Sequence, residues 1–274
     1  MDVTRRDLLR TLAATSVGVL AGTAAYGTAY ERHQVTLVSR DIPVVGLPPA
    51  LDGLRVGMIT DIHHSQVVPV EDVTRAVALL KSAAPDLVAL GGDYVTFSDR
   101  RYMSPVAELL APLADTAHGA FAVLGNHDDD RDMPAALAAH GFTVLKDERT
   151  AIMLRGERLD IAGIRFWTKS VGDIARALKG TGGTTLLLAH DPRRLAEAAS
   201  LDVQLVLSGH THGGQVIVPG VGAIAGRKFP VLAGYAAREN TSLFVSRGVG
   251  TVYVPVRVNC PPDVAVLTLR QASA

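Results

Sequence analysis

The stretch Leu-Arg-Val-Gly-Met-Ile-Thr-Asp-Ile-His, residues 54–63, decides how this chain of 274 residues is expected to fold. Its first part, Leu54–Thr60, is a mostly apolar run, which is typical of a strand buried in a sheet that is covered on both faces. The run ends at Asp61 and His63, which lie two positions apart on an extended segment and therefore point the same way. The stretch predicts a core strand that brings two polar side chains to one edge of a sheet.

Four further predicted strands end in polar segments of the same kind. In open α/β sheets, ligands bind at the carboxyl ends of the strands, so these segments are expected to meet at one site. Their carboxylate, amide and imidazole groups suit Zn²⁺, Mn²⁺ or Fe²⁺ and are too rich in nitrogen for Ca²⁺ or Mg²⁺ alone. The strands and the segments that follow them are Leu87–Leu90 with Gly91-Gly92-Asp93, Ala120–Leu124 with Gly125-Asn126-His127-Asp128, Thr185–Ala189 with His190-Asp191, and Gln204–Ser208 with Gly209-His210-Thr211-His212-Gly213-Gly214.

Helical patterns alternate with these strands. Val70–Ala83 has apolar residues at helical spacing and stops before Pro85, a residue that disfavours helix at the position preceding it. Further helices are predicted at Tyr102–Leu113, Met133–Ala139, Val171–Leu178 and Arg193–Ala199. Further strands are predicted at Val144–Leu145, Ile152–Arg155, Leu159–Gly163, Gln215–Val218, Leu243–Ser246 and Val264–Leu269. The order of elements predicts one α/β domain, with two sheets between layers of helices.

The composition excludes several classes of site. Lysine plus arginine equals aspartate plus glutamate, 27 each, so the chain is formally neutral and has no basic stripe of the kind that binds nucleic acid. Cys260 is the only cysteine, which rules out intramolecular disulfides and a zinc site built from cysteines. We expect Cys260 to be a small buried hydrophobic residue.

The first thirty residues have the composition of a targeting segment. Thr4-Arg5-Arg6-Asp7-Leu8-Leu9-Arg10 resembles the twin-arginine export motif, and a mild apolar stretch follows it from Leu12 to Tyr26. An amphipathic first helix is the alternative, but the stretch lacks polar residues at helical spacing. Residues 1–30 are expected to be a twin-arginine signal segment or an uncleaved N-terminal anchor, which places the rest outside the cytoplasm at the cell envelope.

The five polar segments together resemble the calcineurin-like metallophosphoesterases. The pattern of that family is Asp-x-His, Gly-Asp, Gly-Asn-His-Asp/Glu, His and Gly-His-x-His, and all five parts occur here in order between Leu54 and His212. One part alone would be weak evidence, whereas five in order, each at a predicted strand end, are specific. The resemblance implies a four-layer α/β/β/α sandwich of two mixed sheets flanked by helices, over residues 31–274.

The resemblance also implies a site for two divalent metal ions, with Asp93 bridging them. One ion would be held by Asp61, His63, Asp93 and His212, and the other by Asp93, Asn126, His190 and His210. Two such ions activate a hydroxide and clamp the attacking and leaving oxygens of an in-line displacement. His127 is implied to be a catalytic group that protonates the leaving oxygen or stabilises the phosphoryl charge, and Asp128 to orient it by accepting its other ring N–H.

Departures from the pattern narrow the branch of the family. The arginine that follows Gly-Asp in protein serine/threonine phosphatases is missing, and Thr96 stands where purple acid phosphatases have a tyrosine ligand. Segments of the C-terminal third are similar to a bacterial branch of small, often twin-arginine-exported phosphoesterases. That branch includes enzymes that cleave the pyrophosphate of UDP-diacylglucosamine. The similar segments are Ala233-Gly234-Tyr235, Ser246-Arg247-Gly248-Val249-Gly250, Pro255-Val256-Arg257 and Pro261-Pro262-Asp263. Arg247 and Arg257 are expected either to contact phosphate or to pair with a surface carboxylate.

The resulting hypothesis is a metal-dependent hydrolase of phosphodiester or phosphoanhydride bonds, acting on a small-molecule or lipid phosphoester. A lipid or a nucleotide-sugar of the envelope is a candidate substrate, and the N-terminal segment is a candidate membrane anchor. The alternative is a non-catalytic metal-binding envelope protein, for which His127 would be unnecessary. A nucleic-acid phosphodiesterase is disfavoured by the neutral charge and the export signal. Outside the pattern, His64 is expected at the rim of the site or exposed, and Phe166 and Trp167 are expected to pack.

Overall fold

The computed structural model of the protein describes residues 4–273. Its α-helices are α1 Arg5–Ala29, α2 Val70–Ser82, α3 Met103–Leu110, α4 Asp132–Ala139, α5 Val171–Ala177 and α6 Leu195–Ala199. Its strands are β1 Thr36–Val45, β2 Arg55–Ile59, β3 Leu87–Leu90, β4 Ala120–Ala122, β5 Thr143–Val144, β6 Glu148–Leu154, β7 Glu157–Ile164, β8 Thr184–Ala189, β9 Leu205–Ser208, β10 Ile217–Val218, β11 Gly222–Ala223, β12 Gly234–Arg238, β13 Thr241–Val245 and β14 Asp263–Ala272.

Two six-stranded mixed sheets form the centre of the fold. The first has the order β1-β14-β2-β3-β4-β5 and is parallel except where β14 meets β2. The second has the order β12-β13-β9-β8-β7-β6 and is antiparallel only at its two outer pairs, β12 with β13 and β6 with β7. In each sheet, consecutive parallel strands carry their loops to the same edge.

The buried side chains form three apolar layers. The middle layer lies between the sheets, where Met58 and Phe121 of the first sheet share a cluster with Leu207 and Phe244 of the second. A second cluster packs α2, α3 and α4 on the outer face of the first sheet, and a third packs α5 and α6 on the outer face of the second. The predicted four-layer α/β/β/α sandwich is therefore confirmed.

Most predicted elements are present, with shifted ends. The predicted helix α2 ends at Ser82, close to its expected end before Pro85. The last predicted helix begins only at Leu195, because Pro192–Arg194 forms a 3-10 turn. The two-residue strand β11 was not predicted, and neither were the longer strands β1 and β12. Both lie at sheet edges and are largely half-buried or exposed, and β1 contains Pro43, so neither shows the continuous apolar run of a central strand.

Helix α1 lies outside the layers. The side chains of α1 are exposed along almost the whole helix. Gly27, in the last turn, is buried. By length and composition, the helical stretch Arg5–His33 could cross a membrane, a test that N-terminal signal sequences also pass. Cys260 is buried as expected, with its thiol against the backbone carbonyl groups of His212 and Gly213.

Candidate metal centre

The polar segments that follow β2, β3, β4, β8 and β9 meet at one edge of the two sheets. Their backbone is strained there, because Asp61, His63, Asp93, His210 and His212 all have a φ angle between 49° and 71°. Residues other than glycine rarely adopt this left-handed conformation, which is retained mainly where function requires it. These five residues are all among the predicted metal ligands, and ten other non-glycine residues of the described chain, such as Ala84 and Glu239, also have a positive φ angle.

Two groups of ligand-type atoms result from this arrangement. In the first, one atom each from Asp61, His63 and His212 lies within 4.8 Å of the others, and all three residues are buried. The Asp61 Oδ1 to His212 Nε2 distance is 3.4 Å. In the second, Asp93, His190 and His210 satisfy the same limit.

The carboxylate of Asp93 lies between the two groups. Its Oδ2 atom is 3.1 Å from His190 Nε2 of the second group and 3.5 Å from His63 Nε2 of the first. One carboxylate oxygen is thus within reach of an imidazole from each group. This position corresponds to the bridging position that the resemblance implies for Asp93.

Several buried polar atoms at the site have no hydrogen-bond partner among residues 4–273. They are His63 Nε2, His190 Nε2, His212 Nδ1 and the side-chain oxygen of Asn126. A buried polar atom without a partner costs about 1–3 kcal/mol, and four such atoms at one place indicate a binding site. Imidazole nitrogens and an amide oxygen beside two carboxylates fit divalent transition metals. The residues present therefore fit a pair of metal ions, and the buried side-chain oxygen of Asn126 is a further candidate donor.

Surrounding hydrogen bonds orient the ligand-type side chains. His190 Nδ1 lies 2.7 Å from the Gly91 carbonyl oxygen, so its Nε2 is directed towards Asp93. The carboxylate of Asp61 accepts hydrogen bonds from the His210 backbone N–H and the Thr60 hydroxyl. Partners of this kind fix the rotamer and the tautomer that a metal ligand needs.

The protonation states of the ligand-type side chains reflect burial and nearby charges. Burial lowers the pKa of His63 to about 4 and of His210 to about 3, so both imidazoles are neutral and ready to bind a cation. Burial raises the pKa of Asp61 to about 6. Burial would also lower the pKa of His190, but the nearby carboxylates of Asp93 and Asp61 outweigh it and raise that pKa to about 10. A metal at His190 would therefore replace a proton.

The structure corrects the role predicted for Asp128. Within the described chain, its carboxylate does not accept a ring N–H from His127; it accepts the backbone N–H groups of Asp93, Tyr94 and Gly125 at 2.7–2.9 Å. Asp128 directly follows His127, and its side chain turns back under the loops after β3 and β4. Asp128 thus connects these two loops, a role that sequence could not reveal without the positions of the N–H groups.

His127 is held by the backbone instead. The Phe97 N–H donates to His127 Nδ1 at 3.2 Å, and the His127 N–H donates to Asp93 Oδ1 at 2.8 Å. Because Nδ1 accepts, the proton of the neutral imidazole resides on Nε2. Burial lowers the pKa of His127, which favours this neutral form. The ring lies beside that of His63, at 4.9 Å between centroids.

The mouth of the site is lined by apolar side chains. A cavity of about 410 Å³, within the usual range of small-molecule sites, reaches from His210 and His212 to Ile224, Phe229 and Tyr253. Phe166 lies on another side of the mouth, 5.0 Å from the His210 ring.

Four other predictions have mixed outcomes. Arg247 pairs with a carboxylate, at 2.7 Å from Asp263, although that carboxylate is buried and not on the surface. Arg257 follows neither alternative, since its fully buried guanidinium donates to backbone carbonyl groups. His64 is buried against Tyr102, so its expected rim or exposed position is wrong. Trp167 is 70% exposed, so the prediction that it packs is also wrong.

Comparison with known proteins agrees with this geometry. The family model for calcineurin-like phosphoesterases matches residues 54–214. Phosphodiesterase YaeI of Escherichia coli is 33% identical over 77% of this chain and 80% of its own length. The uncharacterized metallophosphoesterase YkuE of Bacillus subtilis is 27% identical over 99% of both chains. A transmembrane protein with metallophosphoesterase domain from Danio rerio is 30% identical over 93% of this chain and 62% of its own length.

Among solved structures, the NAD nucleotidase NadN of Haemophilus influenzae has a similar fold. Its TM-score is 0.51 at 17% identity, over 72% of this chain and 50% of that one. The chain belongs to the calcineurin-like phosphoesterase family. It is a metallophosphoesterase, a hydrolase of phosphoric ester bonds, and carries two candidate groups of metal ligands.

Proposed function

We propose that this enzyme hydrolyses phosphodiester or phosphoanhydride bonds with two divalent metal ions held by Asp61, His63, Asp93, Asn126, His190, His210 and His212. The observation that carries the proposal is the position of the Asp93 carboxylate between two groups of ligand-type side chains, of which His63 and His212 each have a buried ring nitrogen without a hydrogen-bond partner in the described chain. The donor set of imidazoles, carboxylates and one amide suits Mn, Zn or Fe. When bound, the two ions would supply an activated water and neutralise charge on the phosphoryl oxygens.

The protein side chains perform the remaining tasks. The Nε2–H of the neutral His127 imidazole lies beside the metal ligands and donates a hydrogen bond that stabilises negative charge on the phosphoryl or leaving oxygen. The Phe97 N–H keeps this tautomer in place. Asp128 acts as a positioning residue, because it holds the backbone on both sides of Asp93 and before Asn126.

The site belongs to a domain that we assign to residues 31–274, preceded by a signal segment or anchor over residues 1–30. The name of the YaeI relative supports diester substrates, and those of the transmembrane relatives support attachment to a membrane. We infer export by the twin-arginine route and action at the cell envelope. The apolar cavity at the mouth suits a lipid or nucleotide-sugar phosphoester.

Metal analysis combined with a substrate panel tests the proposal. The panel contains phosphomonoesters, phosphodiesters, nucleotide-sugar pyrophosphates and phospholipids. The parent protein is expected to bind two metal equivalents and to prefer phosphodiesters or pyrophosphates. His127→Asn is expected to keep both metals and to lose about 10²–10⁴-fold in kcat, whereas Asp93→Asn is expected to lose metal as well as activity.

The matched control is His118→Asn, which changes an exposed histidine outside the site. It is expected to match the parent in both metal content and rate. A parent protein that bound two metals and hydrolysed no member of the panel would contradict the proposal. A His127→Asn variant with the parent's rate would contradict the role assigned to the imidazole alone.

A further inference from the structure

Exposed apolar side chains are concentrated at the mouth of the site. Phe97, Ile224, Tyr253 and Val254, which we call the apolar rim, are each between 54% and 80% exposed. Single exposed apolar residues are common, but these lie together: the rings of Phe97 and Tyr253 are 5.9 Å apart, and Ile224, Tyr253 and Val254 line the same cavity. The apolar rim thus places exposed apolar side chains beside the opening of a polar site.

The apolar rim is directly connected to the end of helix α1. Gly27 packs against Val256 and Val258 and accepts a hydrogen bond from the Arg257 N–H at 3.1 Å. Val256 is two residues from Val254, a separation of at most about 7 Å along the chain. Tyr253 and Val254 of the apolar rim, which lie in the loop before β14, are thus close to the C-terminal end of α1. Ile224, directly after β11, lines the same cavity as these two residues.

A second contact holds α1 on the same side. Arg32 accompanies the end of α1 and donates to the carbonyl oxygens of Thr28 and Val67. Val67 shares a surface cavity with Phe97 of the apolar rim. The rim therefore lies close to two separate points at which the end of α1 is attached.

Helix α1 has the chemistry of a membrane-embedded segment. It contains 25 residues, which corresponds to about 37 Å of helix, enough to cross a hydrocarbon core of about 30 Å. The paired rings of Tyr26 and Tyr30 stand at its C-terminal end, where aromatic residues mark the interface between lipid and water. If α1 lies in a bilayer, the lipid headgroups are at the level of these tyrosines, next to the apolar rim.

Basic side chains accompany the rim. Lys228 lines the same cavity and lies 5.2 Å from the ring of Phe229, and Arg227 precedes it in the chain. Cations next to exposed apolar groups favour the surface of a bilayer that contains anionic lipids.

We propose that the apolar rim docks on the bilayer that holds α1, so that the mouth of the metal site opens towards the lipid headgroups. The occupant of this surface is the lipid bilayer. The docking depends on α1 being kept as an anchor and does not depend on the enzyme's activity. Combined with the proposed function, it means that the phosphoester is presented from the membrane surface.

Fluorescence quenching in vesicles tests the docking. The full chain is reconstituted in vesicles of phosphatidylcholine and phosphatidylglycerol, part of which carries bromine in the acyl chains. Trp167 is the only tryptophan, so Trp167→Phe provides a background for Tyr253→Trp or Ile224→Trp. We expect brominated lipid to quench each of these tryptophans several-fold more strongly than a tryptophan in the control variant.

The control is Met153→Trp in the same background. Met153 is 67% exposed and pairs with Arg158 at the start of β7, whereas the metal site follows the ends of the neighbouring parallel strands. Equal quenching at positions 253, 224 and 153 would overturn the proposal. So would crosslinking between copies through the rim without lipid quenching, which would assign the surface to a second copy of the chain. Because the readout is not catalytic, a failure of the proposed function would leave this result unaffected.

Discussion

Replacing Arg257 with methionine removes a charged group from the interior while keeping a similar apolar length. The Arg257 guanidinium is fully buried, and burial lowers its pKa from the ordinary value. It donates to the backbone carbonyl oxygens of Arg247, Gly248, Gly250, His212 and Cys260. These carbonyl groups belong to loops behind the first ligand group, and the Gly250 N–H donates to the Asp61 carbonyl at 2.7 Å.

Two opposing contributions determine the size of the effect. Each buried carbonyl group that loses its donor costs about 1 kcal/mol or more, which amounts to roughly 5 kcal/mol for the five groups. Removing the buried charge returns part of this, because desolvating an ion costs several kcal/mol. The net loss in the free energy of unfolding is therefore about 3 kcal/mol. Since the loops behind Asp61 also loosen, metal affinity at the first ligand group should fall about 10–100-fold.

The assay is denaturant unfolding of the full chain in detergent, with chelator present, followed by metal titration of the folded protein. The chelator separates the stability of the loops from stabilisation by bound metal. Arg270→Met is the matched control, because Arg270 pairs with Asp41 on the surface. This variant should unfold like the parent. An Arg257→Met protein that unfolded within about 0.5 kcal/mol of the parent and bound metal equally well would refute the reasoning, because surface substitutions have effects of that size.

Three further outcomes are expected. Asp160→Ala should lower the free energy of unfolding by about 3 kcal/mol in urea titrations, because its buried carboxylate binds Arg158 and the Gly182 N–H. Burial would raise the pKa of Asp160, but these donors lower it below its ordinary value. The stability that the ionised carboxylate gives the parent should therefore be lost as the pH falls below about 4. The Asp160→Ala variant should not show this loss. Gly125→Ala should reduce the metal content, since a Cβ at this position would collide with Asp93. Gly182→Ala should leave the metal content unchanged, because a Cβ at position 182 meets open space. Metal at about 100 times its Kd should raise the stability of the parent above its value in chelator by about 2.7 kcal/mol for each ion bound, measured as a shift in the urea midpoint.

The parts of the fold that local patterns determine were predictable from sequence. The strand before Asp61 and the helix before Pro85 follow from short-range periodicity and from the proline, and the structure contains both. Strand β1 was missed because it is stabilised by pairing with β14, more than 200 positions away in the chain. Non-local pairing of an edge strand leaves no strong apolar pattern in the sequence.

The candidate site shows the same division. The prediction that His64 points away from the metal assumed an extended segment, but Asp61 and His63 have positive φ angles, so this reasoning does not apply to the observed backbone. The sequence also could not show that the His64 ring lies against Tyr102 and is buried. The partners of Asp128 are backbone N–H groups, which carry no signal in the sequence. Residue types at strand ends were therefore predictable, whereas their hydrogen-bond partners required the three-dimensional structure.

Backbone strain and unpartnered ligand atoms coincide at two residues of the site, and this coincidence connects the fold to the chemistry. His63 and His212 combine a positive φ angle with a buried nitrogen that lacks a partner within the described chain. Each strained residue costs about 1–3 kcal/mol, and each unpartnered atom costs a similar amount. Neither feature stabilises the protein by itself, so the sandwich of sheets must hold the site in an unfavourable conformation before any ion arrives. Such a site is preorganised, so a metal ion would meet ligands already in position. Binding would give the unpartnered atoms a partner, whereas the backbone strain would remain.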